Sequence, residues 1–134
     1  MSEFHTVEVQ FKVEHESHLI KALQKLGYKP KIFDQEVALE GYQGDKREQK
    51  AHIVIPRSQV GPASNDIGFL RSNGTYKMYV SAYDQNYWQK KMPTLCKEYT
   101  QNVVRHIVAN GPYQWDTAST DANGVTTIKL IVRE

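Results

Sequence analysis

The residues best suited to chemistry lie together in the run Gly41-Tyr42-Gln43-Gly44-Asp45-Lys46-Arg47. Two glycines let the backbone turn and present N–H groups. Lys46 adds positive charge, Arg47 a planar fork suited to phosphate or carboxylate, and Tyr42 a platform for stacking. Gly41, Tyr42, Gly44, Lys46 and Arg47 are therefore the candidate ligand-binding residues, for an anion such as a nucleotide or a phosphorylated metabolite. The run lacks the Gly-Lys-Ser/Thr ending that opens a helix in a P-loop. A plainer reading stands beside the first: a glycine turn between strands with solvated charges at its tip. On the ligand reading Arg47→Ala leaves folding nearly unchanged. A structural Arg47 would instead pair with a neighbour such as Glu40 or Asp45.

Other reactive side chains are scattered. His15 and His18 straddle an expected helix start, His52 falls on a strand and His106 on a helical stripe. Zinc requires three or four converging ligands, and this spacing offers none, so no metal is expected. His5 and His106 are expected at the edge of the core. Cys96, the only cysteine, stands beside an apolar stripe and is expected to be buried and slow to react. A reactive thiol would require a nearby cation or a helix N-terminus, and Pro93 places Cys96 within the first turn or so. No paired carboxylates and no Ser/His/Asp order stand out, so no catalytic residue and no cofactor are assigned. Asp66 reads as a turn cap. Tyr83, Tyr87 and Trp88 crowd one turn, where they either close the end of a core or anchor a partner.

These residues must be carried by a fold. With 134 residues, 40% hydrophobic and 24% charged, residues 1–134 fit a single globular domain with one core. The net charge of +2 and pI near 8.6 are mild, and the interleaving of Lys and Arg with acids argues against a nucleic-acid partner. One cysteine suits a reducing compartment, the cytoplasm or a plastid stroma. No apolar run approaches bilayer length and the N-terminus lacks a signal-peptide pattern, so no membrane is expected.

Strict alternation predicts a strand over 4–13, with Val7, Val9 and Phe11 on its buried side. Leu19, Ile20, Leu23 and Leu26 recur at helical spacing, with Ser17 as N-cap and Gly27 as the closing glycine. Short β-like pieces at 28–33 and 37–39 flank an Asp34-Gln35 turn. A polar loop over 41–50, a strand at 51–55 and a loop at 57–65 follow. Asn73-Gly74 predicts a hairpin between strands at 66–71 and 75–83. A long helix carries Leu95, Tyr99, Val103, His106 and Ile107, with Pro93 in its first turn and a separate short turn at 86–91 before it. It stops at Asn110-Gly111-Pro112. Strands at 113–119 and 125–133 close the chain. The order β-α-β-β-β-β-β-α-β-β makes an α+β domain, a largely antiparallel sheet with two helices on one face. Val7, Val9 and Phe11 should then share a buried face with Leu19, Leu23, Val103 and Ile107.

Several stretches resemble one family. Met1-Ser2-Glu3-Phe4, then Leu19-Ile20-Lys21-Ala22-Leu23 running into Leu26-Gly27-Tyr28, is similar to the opening of domain of unknown function family 1257. That family includes the hypothetical chloroplast reading frame 35 proteins of plastids and cyanobacteria. Gly41-Tyr42-Gln43-Gly44 with Arg47, Asp66-Ile67-Gly68-Phe69, and Ile128-Lys129-Leu130-Ile131-Val132-Arg133 continue the resemblance in order. The long loop at 56–65 and a stretch at 83–88 without a tryptophan-rich run depart from it, as in a divergent, phage or viral, member. The resemblance implies a small soluble domain and carries over no catalytic residues.

Two functions of different kinds follow. One is a non-enzymatic protein-binding or adaptor module that engages another protein through an exposed sheet edge or face. The other is a small anionic-ligand binding protein or enzyme that uses residues 41–47.

Overall fold

A computed structural model describes residues 3–120, 122 and 126–132, without the side chains of 5–10, 113–115, 120, 126, 128, 130 and 132. The elements run β1 (Phe4–Lys12), α1 (Glu16–Lys25), β2 (Lys31–Glu40), β3 (Lys46–Ile55), β4 (Ile67–Ser72), β5 (Thr75–Ser81), α2 (Gln85–Asn110), β6 (Tyr113–Thr120) and β7 (Thr126–Val132). The first five strands form an antiparallel sheet in the order β1-β5-β4-β3-β2, and β6 and β7 form a separate two-stranded ribbon. The class is α+β.

Between the helices stand four strands rather than the five expected. The pieces at 28–33 and 37–39 merge into β2, because both flanks of Asp34-Gln35 pair with β3 across a register shift between Ile32 and Val37. A bulge absorbs the extra residues that looked like a turn. The polar loop is also shorter than expected, since Lys46 already belongs to β3. Exposure alternates from Lys46 to Lys50, with Arg47 and Gln49 turned inward. All five side chains are polar, so no hydrophobic pattern announced the strand.

Local signals act as the sequence implies at two turns. Gly27, at φ 98°, closes α1. Its N–H donates to the Gln24 carbonyl and that of Tyr28 to the Leu23 carbonyl, the Schellman pattern. Asn73 and Gly74 both take positive φ, 53° and 82°, as a two-residue hairpin between β4 and β5 demands. Ser17 is not the N-cap. The helix begins at Glu16, continuing a 3-10 turn over Val13–His15, and His15 occupies the cap position without a side-chain bond.

Both helices cover one face of the sheet. Leu19, Leu23, Trp88, Leu95 and Tyr99 meet Phe11, Ile53, Phe69, Tyr76 and Met78 in the main core. Phe11 sits edge-on to Tyr99 at 4.7 Å between ring centroids. Arg71 of β4 fastens α1 from the sheet side, its Nη2 donating to Glu16 Oε1 at 2.8 Å and its Nε to the Tyr76 hydroxyl at 3.3 Å. The expected burial of the Val7 and Val9 side chains lies outside the described residues.

The second helix is a single element of 26 residues that runs through Pro93. The separate turn at 86–91 and the later helix are one, with the proline interior to it. A proline there lacks the N–H that would reach back four residues, and apolar packing on both sides holds the helix through that gap. Leu95 and Tyr99 are buried and Val103 packs at the margin of the core, but Ile107 is exposed. Residues four apart drift by about 40° per step around a helix, so a stripe begun at Leu95 has turned well off the core by Ile107. His106 is exposed too, contrary to its expected place at the core edge.

A smaller core lies on the other face. Leu39, Ala51 and Val54 are buried there with Phe4, Phe33, Val37 and Tyr79 packed around them. Arg47 of β3 covers the ring of Phe4 on β1, the edge strand at the opposite side of the sheet, so the far end of the β2–β3 hairpin folds over this face. Gly68 permits the closure: a Cβ there would stand 2.7 Å from both the Ala51 Cβ and a Leu39 methyl.

Candidate functional site

The run at 41–47 is where the sequence places a ligand, and the fold turns its donors inward. The Gly41 N–H donates to the Asp45 carbonyl and the Gly44 N–H to the Gly41 carbonyl, each at 2.8 Å. The Tyr42 N–H donates to Asn65 Oδ1 at 2.9 Å, and its carbonyl accepts from Arg57 Nη1 at 3.2 Å. Gly44 supplies positive φ, 80°. Gly41 supplies close approach, since a Cβ there would lie 2.5 Å from Asp45 Oδ1.

The cations are engaged as well. Lys46 Nζ bonds Glu40 Oε1 at 3.0 Å. Arg47 Nη1 lies 3.6 Å from Asp45 Oδ2, its guanidinium covers the Phe4 ring at 5.1 Å, and its side chain is only 14% exposed. It is a half-buried strand residue of β3, not a free charge on a loop tip. The hollow beside it, about 420 Å³, is lined by Glu3, Asp45 and Glu48 as well as Lys46 and Arg47. That near balance gives little net attraction for an anion.

Beside the run, hydrogen bonds to Asp66 lock the folded-over hairpin to the sheet. Asp66 Oδ2 accepts the Glu40 N–H at 2.9 Å and Oδ1 the Arg57 N–H at 2.8 Å. Burial pushes the Asp66 carboxyl above the usual carboxylate range, although these two backbone donors pull it down. Asn65 continues the network into the start of α2. Its Nδ2 donates to Ser81 Oγ at 2.9 Å and to Asp84 Oδ2 at 3.2 Å, and its N–H reaches the same carboxylate oxygen at 2.9 Å. Asn65, Asp66, Ser81 and Asp84 are all buried. Asp66 therefore joins three segments, more than the turn cap its position suggested.

Cys96 is part-buried and packs against the main core. Because α2 begins at Gln85, Cys96 lies about three turns inside the helix, too far for the N-terminal dipole to activate it. Burial pushes its thiol up. His52 accepts the Arg71 N–H on Nδ1 at 3.1 Å, a structural role between β3 and β4. No three His, Cys, Asp or Glu among the described residues are arranged to hold a metal ion. Tyr87 and Trp88 close the core end, Tyr87 through a 2.6 Å hydroxyl pair with Tyr28, while Tyr83 is exposed.

The ribbon is the more open surface. Asp116, Thr117, Ala118 and Ser119 of β6 are exposed in succession, and so are Thr127, Lys129 and Ile131 of β7. Successive strand side chains point to opposite faces, so four exposed in a row leave both faces of that part of β6 in solvent. Neither strand pairs with a third among the described residues. One cross-strand charge pair, Lys129 with Asp116 at 3.9 Å, decorates it.

A family model for DUF1257, proteins of unknown function, matches residues 22–131. The chain belongs to the DUF1257 family. No curated protein and no solved structure matches it. The DUF1257 match begins inside α1, so the opening Met1-Ser2-Glu3-Phe4 lies outside it. Two stretches that resemble the family, 41–44 and 66–69, are brought together at the hairpin lock. Asp66 and Gly68 there hold the hairpin by a hydrogen bond and by close packing. Among the described residues no helix is long and apolar enough to cross a membrane.

Proposed function

We propose that this DUF1257 domain is a non-enzymatic protein-binding module whose β6–β7 ribbon pairs with an extended segment of a partner protein. The observation that carries the reading is the run of exposed residues at 116–119, on a strand that pairs with no third strand among the described residues. A two-stranded ribbon is marginal in water, and its outer N–H and C=O groups form a template for strand addition. Thr117, Ser119 and Thr127 are small uncharged side chains there, which suits pairing through the backbone rather than through charge. The module is placed in the cytoplasm or a plastid stroma, where Cys96 stays a thiol.

A photo-crosslinking side chain at Thr117 or Thr127 tests this in native extract, with Ser58, exposed on the loop after β3, as control. One discrete adduct from the ribbon positions and none from Ser58 is expected. Thr117→Pro should abolish adducts from the Thr127 probe while leaving the circular dichroism of the body unchanged, because proline cannot continue a paired strand. Equal adducts from Ser58, or adducts indifferent to the proline, would overturn the assignment.

A further inference from the structure

Between α1 and the later turns of α2 lies a depression of about 290 Å³ lined by His18, Lys21, Asn102, Arg105 and His106. These residues come from segments more than eighty positions apart, joined where Asn102 Nδ2 donates to the His18 carbonyl at 3.1 Å. The rings of His15, His18 and His106 form a row, with centroids 5.8 and 5.2 Å apart. Lys21 and Arg105 are exposed and form no ion pair among the described residues.

The acids at the start of α1 face other partners. Glu14 stands 3.9 Å from His15 Nε2 and 4.0 Å from Lys12, and Glu16 is held by Arg71 at 2.8 Å. Among the described residues no carboxylate lines the depression itself. Two fixed cations and two imidazoles thus share one small recess, an arrangement that repels a metal ion and favours an anion. His106 Nδ1 lies 3.3 Å from Asn110 Nδ2, which leaves Nε2 available as a donor.

We propose that this recess is an anion site for the dianionic phosphate group of a small phosphorylated metabolite. Arg105 supplies the planar fork, Lys21 a point charge, and His18 and His106 ring N–H donors. The site is distinct from the ribbon and from residues 41–47, whose cations already have partners. Burial, then His106, His15 and Lys21, holds the His18 imidazolium below its ordinary range. A bound anion offsets that repulsion, so ligand binding and protonation of His18 reinforce one another.

The test is a titration of the imidazole NMR signals with sodium sulfate, whose charge is constant near neutrality, against sodium chloride at equal ionic strength. Sodium phosphate and sodium acetate serve as further probes. Saturable shifts at His18 and His106 are expected with sulfate and phosphate, with a raised His18 pKa and tighter sulfate binding at about pH 6 than at about pH 8. Arg105→Gln and Lys21→Gln should each weaken sulfate binding about tenfold or more, as loss of a charge-assisted hydrogen bond implies, while Lys21→Arg retains it. Both positions are exposed and glutamine is a good helix former, so the thermal midpoint without ligand should hold. Shifts that match chloride, acetate binding as tight as sulfate, or a double variant that binds like wild type would each overturn the proposal.

Discussion

Asp66 and Glu40, 26 residues apart, exchange two hydrogen bonds: Asp66 Oδ2 accepts the Glu40 N–H at 2.9 Å, and the Asp66 N–H donates to the Glu40 carbonyl at 3.0 Å. With Asp66 Oδ1 on the Arg57 N–H, both carboxylate oxygens accept from backbone. Asn in its place would turn an NH₂ toward one of those donors. Asp66→Asn is expected to cost about 1–3 kcal/mol in urea unfolding, the penalty of one buried N–H left unpaired. A variant as stable as wild type would show that the lock contributes nothing.

Gly68 makes the same closure by packing. Its missing Cβ leaves room for Ala51 and Leu39, and one of those atoms is a short, rigid Cβ that cannot rotate away. Gly68→Ala should therefore destabilise the fold by about 1–3 kcal/mol through overpacking. The thermal midpoint measures it, and an unchanged midpoint would mean that the hairpin shifts at no cost.

Arg47→Ala separates the two readings of the 41–47 run. Its guanidinium covers Phe4 and approaches Asp45, so a loss of about 1–2 kcal/mol is expected from the ring contact and buried stem. An exposed arginine would cost within about 0.5 kcal/mol. The binding of sulfate should be unaffected by this change.

His18 gives stability a sign with pH. Its folded pKa lies below the ordinary 6.5, so the unfolded chain takes up this proton first. The contribution of neutral His18 is whole above 6.5 and declines as pH falls from there through the folded value, then levels. Urea unfolding across that window should show a shallower decline for His18→Gln than for wild type. Sulfate should flatten the wild-type decline, because it favours the charged ring in the folded state.

The sequence by itself determined the elements whose cause is local. The closing glycine of α1 and the Asn73-Gly74 hairpin depend on φ values that few residues tolerate, so their positions could be read directly. The class, the antiparallel sheet and the helices on one face followed from period-two and helical apolar patterns. Only tertiary structure decided the rest. Lys46 and Arg47 look like loop charges until Phe4, Asp45 and Glu40 are seen around them. The Glu40–Asp66 lock and the His18–His106 recess join residues far apart in the chain, and no spacing rule encodes contacts made across a bent hairpin or between two helices. Polar strands and distant pairs leave no periodic trace, because their pattern is set by what packs opposite them and not by their neighbours in sequence.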